Sequence, residues 1–208
     1  MTRLFLALTL LGVPTLVPHV LAAPPARVPA QTRVAILPVV INTDEKDEKV
    51  KADQATRGEE EARKQFADRG FVVVDPAAVT KAYASAGANA RYKTEADRAV
   101  GVATEVGTAV QADWVVVVVI DGVELRRVNS PITDTKETIH EVVLRLWVNG
   151  RAGEEGLPSG DKTDNQLRAD AFEPGTAPWR RQKDAVAAAV RVALRGTLAP
   201  YPSHKENL

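Results

Sequence analysis

The sequence predicts an α/β fold: a single mixed sheet built in the order β-α-β-α-α-β-β-β-α, with an interior strand at 114–120 and helices packed on the sheet. Three observations carry this. Trp114 is followed by five consecutive valines, Ile120 and Asp121. Such a run has no polar alternation, so both its faces must be covered, as in the interior strand of an α/β layer. Two earlier apolar segments, 33–41 (RVAILPVVI) and 71–74 (FVVV), are separated from each other and from the valine run by helical patterning, which parallel crossovers require. After the run, 123–128 (VELRRV) and 136–148 (KETIHEVVLRLWV) flank Asn129-Ser130-Pro131 and read as an antiparallel pair.

The segment 24–32 is an extended, Pro-rich lead-in. Pro38 interrupts the first strand and removes a ladder donor, so a bulge or an edge-facing amide is expected there. Residues 42–51 (NTDEKDEKVK) read as a charged loop that feeds a helix running to about Arg69, with Val50, Ala55, Ala62 and Phe66 near one face and Gly70 as its stop. Gly58 weakens the middle of that helix by about 1 kcal/mol relative to Ala. Asp75-Pro76 starts the next helix, as N-cap and first helical residue. It carries Val79 and Tyr83 one turn apart and ends near Gly87. Thr94 caps a third helix, with Asp97 in an imperfect capping box. Its inward stripe is expected at Ala96, Ala99, Val100, Ala103, Val106 and Val110.

Asp121-Gly122 is a turn signal and is expected to end the valine strand. In the later strand, His140, Val142, Leu144, Leu146 and Val148 share one face, while Glu141 and Arg145 point the other way on a partly wet face. Residues 149–178 form a long polar loop in which 167–172 (LRADAF) is a short edge strand. The last helix spans 178–198, with Val186, Ala189, Val190, Ala193 and Thr197 inward and Arg181, Arg191 and Arg195 outward. The domain so defined occupies 33–200, and 201–208 is a frayed tail.

The amino terminus sets the cellular address. Arg3, the apolar run 4–17 and Val20-Leu21-Ala22 compose a signal peptide over 1–23, cleaved at Ala22 or Ala23. The run is shorter than the roughly 20 residues of a spanning helix and is broken by Gly12 and Pro14, so no transmembrane segment is expected after cleavage. The mature chain is expected in the periplasm or outside the cell. With no cysteine, disulfides, thiolate chemistry and a lipid-modified amino-terminal Cys are excluded. Lys plus Arg equals Asp plus Glu at 27 each, so no net field favours nucleic acid.

Taken together, the strand RVAILPVV, the helix closed by a Gly, FVVVD followed by a helix start, ADWVVVVVID, and VVLRLWVNGRAGEE before an Ala-rich helix resemble the TolB amino-terminal-domain group. That group also includes the soluble domain of the curli-secretion channel protein and the penicillin-binding-protein activator lipoproteins. The resemblance covers about 33–198. It implies a non-enzymatic envelope module that binds another protein. The chain departs from the group in having no lipobox Cys and no β-propeller after the last helix, and Arg126, Arg127, Lys136 and Glu137 oppose a pore-forming hairpin.

Candidate chemistry is sparse. His140, with Glu141 beside it and Asp134 upstream, is weighed as a metal or triad residue against a packed histidine; adjacent strand residues face opposite sides. Asp44, Glu45, Asp47 and Glu48 follow the first strand, where α/β sheets favour ligands, but the interleaved Lys46 and Lys49 suit a solvated loop. Residues 161–165 (DKTDN) resemble the start of a calcium loop, with Gln166 and Phe172 where Gly and Glu belong. Ser85, Ser130 and Ser159 lack activating context, Gly101 and Gly107 form no phosphate loop, and Trp114, Trp147 and Trp179 read as packing. No cofactor is expected. Three functions stand: an exported non-enzymatic module binding an envelope protein through the 149–178 loop and the wet face of 136–148; a small-molecule binder or enzyme using the strand-end loops near 42–48; and a structural subunit of a homo-oligomer.

Overall fold

The computed structural model describes residues 28–88, 90–129, 136–150, 166–170 and 182–203. A short 3-10 turn, Pro29–Gln31, leads into strand β1 (Arg33–Ile36) and, past Pro38, strand β2 (Val40–Ile41). Pro38 divides the predicted first strand as expected, and the Val39 N–H is taken by Glu59 Oε1 at 3.2 Å.

Helix α1 (Glu48–Ala67) starts within the segment expected to be loop, because Asp47 caps it through the Lys49 and Val50 amides. Gly70 follows it at φ +81, where a side chain would be strained. Strand β3 is reduced to Val72–Val73. Helix α2 (Pro76–Ser85) has Asp75 as N-cap and Pro76 at its first position, and helix α3 (Glu95–Ala109) is capped by Thr94, both as predicted. The buried stripe of α3 uses Val102 and Gly107 where Val100 and Val110 were expected; those two are half-buried.

The sheet order is β3-β1-β4-β5-β6, with β2 continuing the lane of β1 beside β4. Strand β4 spans Trp114–Asn129, β5 Lys136–Gly150 and β6 Gln166–Asp170, followed by helix α4 (Gln182–Thr197). β1 pairs in parallel with β3 and β4, while β4, β5 and β6 are antiparallel neighbours. The mixed sheet, its interior valine strand and an edge strand in the late polar segment all agree with the sequence reading.

One core packs under α1 and α4 and contains Val116, Val118, Ile120, Leu144 and Leu146; the other packs under α2 and α3 and contains Val115, Val117 and Val119. The valines thus alternate between two dry layers. Gly107 brings α3 so close to β4 that an added Cβ would lie 2.6 Å from Val115 Cγ2.

Four expectations are corrected. Asp121-Gly122 does not end the valine strand: the register slips between Ile120 and Gly122 and the same strand continues to Asn129, so a β-bulge stands where a turn was expected. The bulge switches the inward parity, and Val123, not an even-numbered residue, joins Val142 in the α1/α4 layer. Arg191 does not face solvent freely; its Nε donates to the buried Glu61 of α1 at 2.9 Å. Glu141, expected on the partly wet face of β5, is buried, whereas Val143, Arg145 and Trp147 on that face are half-buried. Finally, the tail does not fray at its start. Tyr201 is buried with its ring 5.2 Å from Phe71 and 5.9 Å from Trp114, and Ser203 is buried too.

Candidate functional site

The bulge is where the polar chemistry gathers. Asn42 follows β2 directly, and its N–H donates to Ile120 O at 2.8 Å, the last link between the β1–β2 lane and β4. The next residue of β4, Asp121, is the extra one of the bulge, so its carboxylate is not committed to either core. Arg145, paired with Val119 across the antiparallel ladder, donates from Nε to Asp121 Oδ2 at 2.6 Å and from Nη2 to Oδ1 at 2.7 Å. Asn42 Nδ2 donates to Oδ1 at 2.9 Å. The guanidinium also lies 5.5 Å from the Trp147 ring centroid. Burial pushes the Asp121 carboxyl up, but the hydrogen bonds from Arg145 and Asn42 and the Arg145 charge outweigh it, so its pKa lies below the ordinary carboxylate value. The hydrogen bond to Asp121 raises the Arg145 pKa in return, against burial, helped by the charges of Asp121 and Asp97.

Beside this lock a cleft of about 480 Å³ is lined by Thr43, Asp44, Glu45, Lys46, Gln54 and residues 121–124. It lies at the carboxyl ends of β2 and of the parallel part of β4. From the β1–β2 lane, α1 leads to β3 on one side, whereas α2 and α3 return the chain to β4 on the other. That is a topological switch point, the usual place for a ligand in an open α/β sheet. Of the four predicted carboxylates, only Asp44 and Glu45 line the cleft. Glu45 already accepts the Lys46 and Asp47 amides, Asp47 caps α1, and Glu48 pairs with Lys51. Among the described residues no group of three or more His, Asp or Glu could hold a metal ion.

The second feature is an arm. Residues 122–129 of β4 pair with 143–136 of β5, whereas the β1–β2 lane ends opposite Ile120. Among the described residues, this part of β4 has no strand on its other side. Val123, His140, Glu141 and Val142 still belong to the covered body, so it is residues 125–129 and 136–139 that carry the hairpin beyond it, five residues of β4 at about 3.3 Å each or roughly 17 Å.

His140 is buried on the Val142 face, as the alternation predicted. Trp114 is core, Trp147 is half-buried under Arg145, and exposed Ser85 donates to Lys81 O. A polar cluster the sequence reading missed closes α2 on α3. Tyr83 Oη donates to Glu95 Oε1 at 2.5 Å, and Arg98 reaches both Glu95 and Tyr83 O. Burial first, then the Glu95 hydrogen bond, pushes the Tyr83 hydroxyl up, which keeps it a proton donor. The cleavage residues Ala22 and Ala23, the calcium-like 161–165, Asp134, Ser130, Ser159, Trp179, Arg181 and most of the 149–178 loop lie outside the described residues.

No family model and no curated protein matches the chain. Among solved structures it is similar to lipoprotein GNA1162 from Neisseria meningitidis, with 10% identity, 81% of this chain and 99% of that one covered and a TM-score of 0.45. It is similar also to the hypothetical protein CT253 from Chlamydia trachomatis, with 14% identity, coverage of 83% and 94%, and a TM-score of 0.38. A third is PelC from Paraburkholderia phytofirmans, a dodecamer, with 10% identity, coverage of 87% and 96%, and a TM-score of 0.36. Likeness this distant carries nothing about activity or partner. The TolB resemblance therefore rests on the sequence pattern.

Proposed function

We propose that the protein is an exported, non-enzymatic interaction module of the cell envelope, and that the β4–β5 arm is the element it offers to another envelope protein. The carrying observation is the length of the arm: residues 122–129 continue past the last pair that β2 makes with β4 at Ile120. A strand with one open edge invites addition of an extended segment. The lock of Asn42, Asp121 and Arg145 at its root fixes the direction in which it leaves the body. The signal peptide read from the sequence supports export, and the scarcity of activated nucleophiles or bases in the sequence supports a binding role.

The test is a photoreactive residue placed in turn at positions 124, 137 and 138 of the exported chain in intact cells. Adducts with a second envelope protein, identified by mass spectrometry, are expected; adducts at none of the three positions would remove the reading.

A second reading, a small-molecule binder, is favoured by the 480 Å³ cleft at the switch point, a size within the usual range for ligand sites. A polar ligand that raises the melting temperature of the wild-type chain but not of Lys46→Ala or Glu124→Ala would support it; a shift of equal size in all three would not.

A further inference from the structure

We infer that the edge of β4 that no described strand pairs, residues 122–128, pairs antiparallel with the same edge of a second copy of this chain about a two-fold axis at Leu125. The inference rests on the reading of the arm as a contact element, not on any other partner.

The backbone decides which residues can pair. Leu37 N donates to Val116 O at 3.0 Å and Asn42 N to Ile120 O at 2.8 Å, so the even-numbered residues of β4 before the bulge turn their amides and carbonyls toward the β1–β2 lane. The odd-numbered ones turn toward β5. The bulge shifts this by one: 122, 124, 126 and 128 oppose 143, 141, 139 and 137 of β5, which leaves 123, 125, 127 and 129 with outward backbone groups. In a two-fold antiparallel pair, outward residues must oppose outward residues.

Every axis that falls on a residue satisfies that rule and every axis between residues breaks it, so charge selects among the residue-centred registers. A centre at Glu124 opposes two glutamates, and centres at Arg126 or Arg127 oppose two arginines, which is destabilising for residues directly across a ladder. A centre at Leu125 opposes Leu125 with itself, Val123 with Arg127, and Glu124 with Arg126 twice by symmetry. Centres further out leave most of the edge unpaired. The self-complementary register thus falls where an apolar residue sits between opposite charges.

Stability points the same way. The β5–β6 pairing ends at Glu141 and Asp170, so among the described residues the outer arm is two-stranded, and a lone two-stranded hairpin is marginal in water. Self-pairing makes a four-stranded ribbon.

The chain has no cysteine, so single-Cys variants of the mature protein report the register. Opposed residues of a hydrogen-bonded pair lie about 5.5 Å apart at Cα, within disulfide reach. Leu125→Cys should give a disulfide dimer on mild oxidation. Arg127→Cys should not, because its two copies lie four residues apart, roughly 13 Å. In sedimentation equilibrium the wild-type chain should dimerise with rising concentration. Glu124→Arg should raise the dissociation constant about tenfold, and the double variant Glu124→Arg/Arg126→Glu should return it to within about threefold of wild type. Circular dichroism checks that each variant is folded. A monomer at every concentration, a disulfide dimer of Arg127→Cys with none of Leu125→Cys, or a folded double variant as weak as the single one would overturn the inference. Heterologous adducts at 124, 137 or 138 persisting alongside such a failure would remove self-pairing alone and leave the arm reading standing.

Discussion

Arg145 and Asp121 hold each other in a two-point contact across the β-bulge, Nε to Oδ2 at 2.6 Å and Nη2 to Oδ1 at 2.7 Å. The two residues belong to different strands, and the pair fixes both the extra residue of the bulge and the register of β5 beyond it. Replacing Arg145 by Ala leaves a partly buried carboxylate with Asn42 alone and should cost about 1–3 kcal/mol in urea unfolding. Arg145→Lys should fall between, because an ammonium cannot reproduce the fork. A double-mutant cycle with Asp121→Asn should give a coupling of at least about 0.5 kcal/mol.

The same pair predicts a pH dependence. The Asp121 pKa is depressed in the folded state, so its contribution is fully present above the ordinary Asp value of about 4 and is lost as pH falls through the lower folded value. Wild-type stability should therefore fall below about pH 4 more steeply than that of Asp121→Asn. Parallel curves for the two proteins between about pH 2 and 5 would contradict the assignment; urea unfolding at stepped pH measures it.

Two glycines in helices should respond in opposite directions to alanine. At Gly107 the new Cβ would lie 2.6 Å from Val115 Cγ2, whereas at Gly196 nothing lies within 4 Å. Gly107→Ala should cost about 1–3 kcal/mol through overpacking between α3 and β4. Gly196→Ala, on an exposed turn of α4, should add up to about 1 kcal/mol. Thermal unfolding of the two variants beside wild type checks both signs.

Export gives a covalent prediction. Amino-terminal sequencing of the mature chain should begin at Ala23, after cleavage at Ala22, or at Pro24, after cleavage at Ala23. An intact Met1 on the exported protein would contradict the signal-peptide reading.

Much of the fold was legible because its signals are local. Five β-branched residues in a row demand two covers, and Asp75-Pro76 and Thr94 supply the cap chemistry their helices need. What was misread depends on distant partners. Asp121-Gly122 has the composition of a turn, and only the continued pairing with β5 makes it a bulge. Arg191 looks solvent-facing until Glu61, 130 residues earlier, lies beside it. Tyr201 follows Pro200 in what reads as a tail, yet its ring completes a cluster with Phe71 and Trp114. The cleft was half visible: the 42–48 loop was singled out, but its other wall, 121–124, comes from a segment 79 residues on. The carboxylates of that loop have the composition of a cation site, yet helix capping and local turns take up most of them.

The central claim is that the arm, not the body, makes the partner contact. Glu124 and Glu141 are directly paired in the ladder, so a two-residue Asn-Gly turn can join them in place of residues 125–140 without disturbing the described strands below. The direct measurement is photocrosslinking from position 124 in the exported arm-shortened chain, compared with the full-length chain, after circular dichroism has shown both to be folded. The account predicts an unchanged body spectrum and loss of the envelope-protein adduct. An adduct of undiminished yield from the shortened chain would contradict it.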